Sequence, residues 1–229
     1  MAKRRRNERQ RRELGDVESP EQTSPEKGDR KEAPEERLIA GVRIIGGKHR
    51  GRTLQYSGDL RTRPMKDRVR EAVFNLIGPD IKNAYAIDLF AGTGALGLEA
   101  LSRGAVGVTL IERHLPTTKI IEQNAATIGV KELTKVIFGD AFRWAKNPTA
   151  PADRPWVVFC SPPYEFYVSR QQEMLELIGR LIEKAPTGST LVIESDEQFD
   201  MHLLPPEIDW DVRQYPPAVV AIGTKGNQE

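Results

Sequence analysis

The residues best suited to chemistry lie in a glycine-rich segment, DLFAGTGALGLEALSRGA, which runs from residue 88 to residue 105. Gly92, Gly94 and Gly97 satisfy the pattern G-x-G-x-x-G between a predicted strand and a predicted helix, and Glu112 follows at the end of the next strand. In such a turn the glycines let the backbone approach a dinucleotide, and the later acid binds ribose hydroxyls. The segment therefore predicts a site for a nucleotide-like cofactor.

Asp88, at the carboxyl end of the first predicted strand, indicates which cofactor this is. A carboxylate four residues before Gly92 would repel a diphosphate held at the helix N-terminus. The same carboxylate would attract the ammonium and sulfonium groups of S-adenosylmethionine, while Glu112 accepts from the ribose hydroxyls of either cofactor. We therefore predict that the cofactor is S-adenosylmethionine rather than NAD. The alternatives are a tight turn without a ligand and, for Glu112 alone, a solvated acid.

Asp140, in the segment VIFGDA, ends a third predicted strand at the same edge of the predicted sheet. Its side chain is placed to accept a hydrogen bond from an adenine amino group, and the Ala141 amide is placed to donate to a ring nitrogen. A cap on the short helix that follows is an equally good interpretation of Asp140. The sequence leaves both interpretations open.

A second candidate site is the turn Ser161-Pro162-Pro163-Tyr164, which follows the apolar strand WVVFC. Two consecutive prolines fix their own φ angles and force the residue before each of them away from helical geometry. The Ser161 hydroxyl and the backbone carbonyl after it are two acceptors for an exocyclic amino group, and Tyr164 offers a ring on which a base can stack. We predict that these four residues form a catalytic turn. A rigid loop around a packed tyrosine is the alternative.

The distribution of charge indicates the kind of substrate. The 229 residues carry 34 basic and 33 acidic side chains, yet residues 39–70 hold nine basic residues against two acidic ones. Such a one-sided segment favours contact with a polyanion and binds phosphates without reading sequence. Arg68 and Arg70 lie on a predicted helix and can equally serve the structure. The predicted RNA-binding residues are Arg43, Lys48, Arg50, Arg52, Arg61 and Lys66.

Composition divides the chain into three segments. Residues 1–38 are highly charged and almost without apolar side chains, which predicts a disordered tail that is either solubilising or an RNA tether. Residues 39–80 are predicted to form a basic N-terminal arm with a helix. Residues 81–229 alternate short apolar strands with helices, which is typical of an α/β domain with a mostly parallel, doubly wound sheet and helices on both faces.

Within the arm, two short strands are predicted around the turn dipeptide Gly46-Gly47. The apolar residues of DRVREAVFNLIG then recur at helical spacing, with Asp67 as the predicted N-terminal cap and Gly78 as the stop. The C-terminal segments WDVRQY and AVVAIGTK are predicted to close the sheet as an antiparallel hairpin.

Composition also argues against several classes of protein. Cys160 is the single cysteine, and three histidines lie far apart in the sequence, so no disulfide framework and no metal site are predicted. No apolar run approaches the ~20 residues that span a membrane. We expect a cytoplasmic protein that acts as a monomer and does not contact a membrane.

The chain resembles the RsmD-type 16S ribosomal RNA guanine-N2 methyltransferases in three blocks: RIIGGKHRGR (43–52), TRPMKDRVREAVFN (62–75) and DLFAGTGALGLEALSRGA (88–105). LIER, FGD, SPPY and VIES follow in the same order, so that the resemblance covers about residues 42–195. It implies a Rossmann-like class I methyltransferase fold with a seven-stranded sheet. It also implies methyl transfer to the N2 amino group of a guanine in 16S rRNA, within a small ribosomal subunit or an assembly intermediate.

The resemblance also assigns roles to residues. Ser161, Pro162, Pro163 and Tyr164 match the catalytic turn, and the helix from Asp67 is expected to close the methionine end of the cofactor through Arg63 and Asp67. The positions that match the family's cofactor site are Asp88, Gly92, Gly94, Glu112, Asp140 and Ala141.

The chain departs from that family at the catalytic turn, where Ser161 stands in place of the usual Asp. Met65 and Lys66 also replace two small hydroxyl residues, and the C-terminal strands do not obviously match. A hydroxyl is a weaker acceptor than a carboxylate, so a looser grip on the amino group is expected. Two alternatives therefore stay open. One is an amino-methyltransferase acting on adenine N6 in DNA or another RNA, and the other is a catalytically silent RNA-binding assembly factor.

Overall fold

The computed structural model describes residues 39–56, 58 and 64–226, with the backbone alone at residues 39 and 40. The strands are β1 (Ile39–Arg43), β2 (Thr53–Tyr56), β3 (Tyr85–Asp88), β4 (Gly107–Glu112), β5 (Thr134–Phe138), β6 (Trp156–Cys160), β7 (Thr190–Asp196), β8 (Asp211–Tyr215) and β9 (Ala218–Thr224). The α-helices are α1 (Asp67–Ile77), α2 (Ala95–Arg103), α3 (Leu115–Thr127), α4 (Ala141–Trp144), α5 (Phe166–Ser169) and α6 (Gln171–Lys184). Short 3₁₀ turns lie at Gly78–Ile81, Lys131–Leu133 and Met201–Leu203.

Seven of these strands form one sheet in the order β5-β4-β3-β6-β7-β9-β8. The first five are parallel, and β9 pairs antiparallel with both β7 and β8. The chain passes outward from β3 to β5 and then returns to β6 on the other side of β3. The strand order therefore reverses between β3 and β6, which is where open α/β sheets bind ligands, at the carboxyl ends of the strands. The predicted fold class is confirmed.

Strand β6 shows why the core has two halves. Its five residues are all buried, and they alternate between the two faces of the sheet. Val157 and Phe159 pack in the core beneath α1, α2 and α3, whereas Trp156, Val158 and Cys160 pack in the core beneath α5 and α6. A strand that is covered on both faces reads as an unbroken apolar run, because neither face needs polar residues.

The arm contains the two predicted strands, but their connection is not a tight turn at Gly46-Gly47. Arg43 pairs with Thr53, so that residues 44–52 connect the strands. This loop folds onto the end of α2, where Ser102 Oγ donates to the Gly46 carbonyl and accepts from the His49 amide. A Cβ on Gly47 would collide with the Ser102 carbonyl. The glycines therefore serve close packing on α2 and not a hairpin turn.

Helix α1 begins and ends almost where the sequence predicts, but the predicted cap is wrong. Lys66 occupies the N-cap position without a side-chain hydrogen bond, and Asp67 is the first helical residue. The Asp67 carboxylate instead accepts from Arg43 and Arg70, both at 3.0 Å. Gly78, with a φ of 58°, ends the helix as predicted.

Two buried charges hold the loop of residues 44–52 and helix α1 against α2. The Glu99 carboxylate, in the middle of α2, accepts from the amides of Ile45 and Gly46 and from Arg103 Nε, each at 2.7 Å. Arg70 is also fully buried, and it donates to the Arg43 carbonyl at 2.7 Å. Since buried charges are costly unless they are paired and hydrogen-bonded, this cluster fixes the position of α1 above the sheet.

Strand β2 is attached to the body at one side-chain amide. Asn124, near the end of α3, accepts from the Gln55 amide and donates to the Gln55 carbonyl, both at 2.8 Å. The side chain thus replaces a neighbouring strand at this position. Within the described residues, no helix is both long and apolar enough to cross a membrane.

Candidate active site

A cavity of about 790 Å³ lies at the carboxyl edge of the sheet, and we call it the site cavity. Residues that follow β3, β4, β5 and β6 line it, together with Glu194 of β7 and the start of α1. A second, more open hollow of about 810 Å³ lies between α3 and β5, and it contains none of the predicted site residues. The predicted residues on the wall of the site cavity are Lys66, Gly92, Glu112, Asp140, Ala141, Ser161, Pro162, Pro163 and Tyr164.

The loop between β3 and α2 that contains Gly92 and Gly94, which we call the glycine loop, has the conformation that its sequence requires. Gly92 and Gly94 have φ angles of 50° and 77°, which side chains with a Cβ rarely adopt. Gly97 serves another purpose, because a Cβ there would come within 2.7 Å of Leu110 and 2.9 Å of Val108. The third glycine of the motif therefore lets α2 pack closely on β4.

Asp88 ends β3 as predicted, but its side chain lies beneath the glycine loop and outside the wall of the site cavity. Its Oδ2 accepts from the Gly97 amide at 3.3 Å, and its Oδ1 has no hydrogen-bond partner among the described residues. Burial raises the pKa of Asp88 to about 7, against the lowering effect of the Gly97 amide. Asp88 therefore supports the loop from below and does not face a ligand directly.

Glu112, at the end of β4, does face the site cavity. One carboxylate oxygen accepts from the Gly92 amide at 2.9 Å and the other from the His114 amide at 2.8 Å. A carboxylate has about four acceptor positions, so two amides leave capacity for two hydroxyls. Glu112 thus shapes the glycine loop and can also bind a ligand.

The position of Asp140 is compatible with both interpretations that the sequence left open. Its Oδ1 accepts from the Arg143 amide at 3.0 Å and caps α4, while the residue also lines the site cavity. Ala141, the first residue of α4, is buried beside it. Three rings that sequence reasoning missed, Phe90, Phe142 and Phe166, contact one another along this wall with centroids 6.0 to 6.2 Å apart.

The catalytic turn directly follows β6. The Ser161 hydroxyl is buried and makes no hydrogen bond of good geometry within the described part of the chain. Pro162 is buried and Pro163 exposed, and the Tyr164 hydroxyl donates to Glu194 Oε1 at 2.9 Å. The turn therefore presents one buried polar atom, Ser161 Oγ, toward the site cavity beside Glu194.

Glu194 is the main charged residue of the site cavity that sequence reasoning missed. Only 7% of it is exposed, and burial raises its pKa above the ordinary value, which the Tyr164 and Ser161 hydroxyls oppose. The signal was present, because an acid near the end of the buried run TLVIES repeats the pattern of Asp88 and Glu112. The turn between β8 and β9, which also adds Tyr215 and Pro217 to the wall, carried no such signal.

The predicted RNA-binding residues fall into two groups. Arg43 pairs with Asp67, the first residue of α1, and Lys66 precedes it on the cavity wall. Lys48, Arg50 and Arg52 are exposed on the loop that docks at Ser102, the opposite end of α2 from the glycine loop.

Not every predicted residue reaches the site. Asp67 and Gly94 do not line the site cavity, because Asp67 pairs with arginines and Gly94 lies against Ile121. Arg61, Arg63 and the predicted tail at residues 1–38 lie outside the described residues.

Solved structures with a similar fold define the class. One is the structure of yhhF from Escherichia coli, which is named as a methyltransferase. It matches with a TM-score of 0.67 and 31% sequence identity, over 82% of this chain and 99% of that one. An RNA methyltransferase from Salinibacter ruber, in complex with S-adenosyl-L-homocysteine, shares the fold at a TM-score of 0.53 and 20% identity, over 73% of this chain and 96% of that one. The fold is that of a class I methyltransferase.

Sequence comparison then gives the family. A family model described as "Conserved hypothetical protein 95" matches residues 42–213. Ribosomal RNA small subunit methyltransferase D of Escherichia coli is 36% identical over 165 residues, which are 72% of this chain and 79% of that protein. The chain belongs to this family, the RsmD family. The predicted class of enzyme, a methyltransferase that uses S-adenosylmethionine, is thereby confirmed.

Proposed function

We propose that the enzyme methylates the exocyclic N2 amino group of a guanine in 16S rRNA, within a small ribosomal subunit or an assembly intermediate. The observation that carries this proposal is one cavity shared by the glycine loop and by the turn from Ser161 to Tyr164. The name of the Escherichia coli relative, a small-subunit ribosomal RNA methyltransferase, supports the choice of RNA.

The residues of the site cavity suit S-adenosylmethionine. Glu112 has acceptor capacity for two ribose hydroxyls, and Asp140 and the Ala141 amide lie where an adenine edge would bind. The glycine loop offers backbone without side chains at Gly92, and Gly94 gives the loop its shape. We assign Asp88 and Asp67 indirect roles, in which the first holds the loop and the second holds α1.

The catalytic turn is proposed to position the base. Ser161 Oγ and the Pro162 carbonyl accept the two amino hydrogens, which leaves the nitrogen lone pair directed at the methyl group, and Tyr164 stacks on the ring. Pro163 keeps the turn rigid. When bound, S-adenosylmethionine supplies a methyl group on a cationic sulfur, which leaves as a neutral thioether. The methylated amine then loses its proton to solvent, so no dedicated base is needed.

The arm is proposed to bind phosphates on a folded RNA. Lys66 lines the site cavity and Arg43 pairs with Asp67, the residue after it, while Lys48, Arg50 and Arg52 lie on the loop that packs at the end of α2, and Arg61 belongs to the same basic stretch of sequence. Because phosphate contacts carry no sequence information, the shape of the subunit would select the target. We propose a cytoplasmic monomer, since one chain builds the whole site cavity.

The experiment is methyl transfer from labelled S-adenosylmethionine to small subunits purified from cells that lack the gene, followed by mass spectrometry of the nucleosides. One new N2-methylguanosine per subunit is expected, and Tyr164→Ala is the control that should transfer little while still binding the cofactor. N6-methyladenosine would favour the adenine alternative. Binding of S-adenosylmethionine without transfer to any subunit preparation would favour the silent assembly factor.

A further inference from the structure

We propose that Glu194 selects guanine by accepting a hydrogen bond from its N1–H group, which lies next to the amino group that Ser161 and Pro162 hold. This inference rests on the proposed function and adds the residue that distinguishes guanine from adenine. It assigns a contact with the substrate to a side chain outside both the glycine loop and the catalytic turn.

The register of the sheet brings Glu194 to the catalytic turn. Cys160, the last residue of β6, pairs with Ile193 of β7, so that Ser161 and Glu194 follow side by side at the carboxyl edge. Both residues line the site cavity, and the Tyr164 hydroxyl donates to Glu194 Oε1 at 2.9 Å. A base that stacks on Tyr164 and reaches Ser161 would therefore lie beside this carboxylate.

The carboxylate has unused capacity in a buried place. Glu194 is 7% exposed, and its two oxygens offer about four acceptor positions, of which the Tyr164 hydroxyl occupies one and the nearby Ser161 hydroxyl can occupy another. A buried carboxylate requires donors, because an unmet charge in a poorly solvated place is costly. A base that brings a donor beside its amino group would meet this requirement.

The two candidate bases differ in what they would bring. Guanine presents an N1–H donor beside its N2 amino group, and a hydrogen bond from N1–H to a carboxylate would be charge-assisted and therefore strong. Adenine presents a single donor, the N6 amino group, next to N1, which is an acceptor. In the same position, the Glu194 carboxylate would face the N1 lone pair of adenine, so that two acceptors would oppose each other.

The test measures binding and transfer with the full chain. An RNA hairpin with one unpaired guanine is compared with the same hairpin carrying adenine, both bound in the presence of S-adenosylhomocysteine. The parent protein should prefer guanine by about tenfold or more, whereas Glu194→Gln should reduce that preference to less than threefold. On small subunits, Glu194→Gln should lower kcat/KM ten- to a hundredfold, and Glu194→Asp should restore part of it.

Tyr164→Phe is the matched control, because it removes the hydroxyl and keeps the ring. It should keep the preference for guanine in the binding comparison. If Tyr164→Phe abolishes the preference as completely as Glu194→Gln, Glu194 only positions Tyr164 and the proposal is wrong. An unchanged preference in Glu194→Gln also overturns it. Failure of the proposed function is distinguished by the parent itself, which would then transfer no methyl group to guanine in subunits.

Discussion

Two groups of buried polar side chains lie on the same side of the sheet and have opposite surroundings. Beneath the arm, Glu99 accepts from two backbone amides and from Arg103, and Arg70 is hydrogen-bonded beside it. At the carboxyl edge, Asp88 Oδ1 and Ser161 Oγ have no hydrogen-bond partner among the described residues. In the first group only Arg70 Nε lacks one, and it lies 3.9 Å from Glu99 Oε2.

The difference in hydrogen bonding distinguishes side chains that hold elements of the fold together from side chains that can bind a ligand. Where cations and amides surround a buried carboxylate, as at Glu99, its acceptor positions are used and it holds elements together. Where a buried carboxylate lacks hydrogen-bond partners, as at Asp88, its pKa rises and an acceptor position remains unused. Such sites are candidates for function. The three predictions below test this comparison.

The largest expected effect is on stability, at Glu99. Glu99→Ala should lower the free energy of unfolding by about 3–5 kcal/mol, because it leaves Arg103 and the Ile45 and Gly46 amides without their acceptor and removes the carboxylate beside the buried Arg70. Urea unfolding measures the change, and Glu183→Ala on the exposed face of α6 is the control, expected within about 0.5 kcal/mol. A loss below about 1 kcal/mol for Glu99→Ala would show that the arm is held by other contacts.

The second effect depends on pH and concerns Asp88. Its pKa of about 7 in the folded protein lies above the ordinary value of 3.8, so the folded state binds the proton more tightly than the unfolded state. Stability contributed by the protonated form is complete below pH 4 and is lost as the pH rises toward 7. Asp88→Asn should therefore gain roughly 2–4 kcal/mol relative to the parent between pH 4 and pH 8. A stability difference that stays flat over this range would contradict the raised pKa.

The smallest effect is on rate, at Ser161. Ser161→Ala should slow methyl transfer by about ten- to a hundredfold, which corresponds to ~1–3 kcal/mol for an unpaired donor on the substrate. Stability should not fall, because the hydroxyl has no partner to lose. Transfer to subunits and thermal unfolding are the two measurements, with Ser169→Ala as the control. An undiminished rate in Ser161→Ala would leave the Pro162 carbonyl as the only orienting acceptor.

Local pattern was enough to predict much of the fold. The segment WVVFC was predicted as a strand with the observed bounds of β6, because a strand buried on both faces must be apolar at every position. The glycine loop was equally predictable, since Gly92 and Gly94 have positive φ angles that few other residues adopt. A rigid turn after β6 was predictable because consecutive prolines restrict the backbone whatever surrounds them.

The sequence by itself determined which residues end the strands and which loop can approach a cofactor, since neighbouring residues decide these features. Only the tertiary structure decided that Asp88 points beneath the loop, that Lys48 lies at the far end of α2 from Lys66, and that Glu194 stands beside Ser161. The last of these depends on the register between β6 and β7, whose paired residues Cys160 and Ile193 are far apart in the chain. Pairing across such distances follows from how the whole sheet buries its two faces, and no short segment of sequence specifies it.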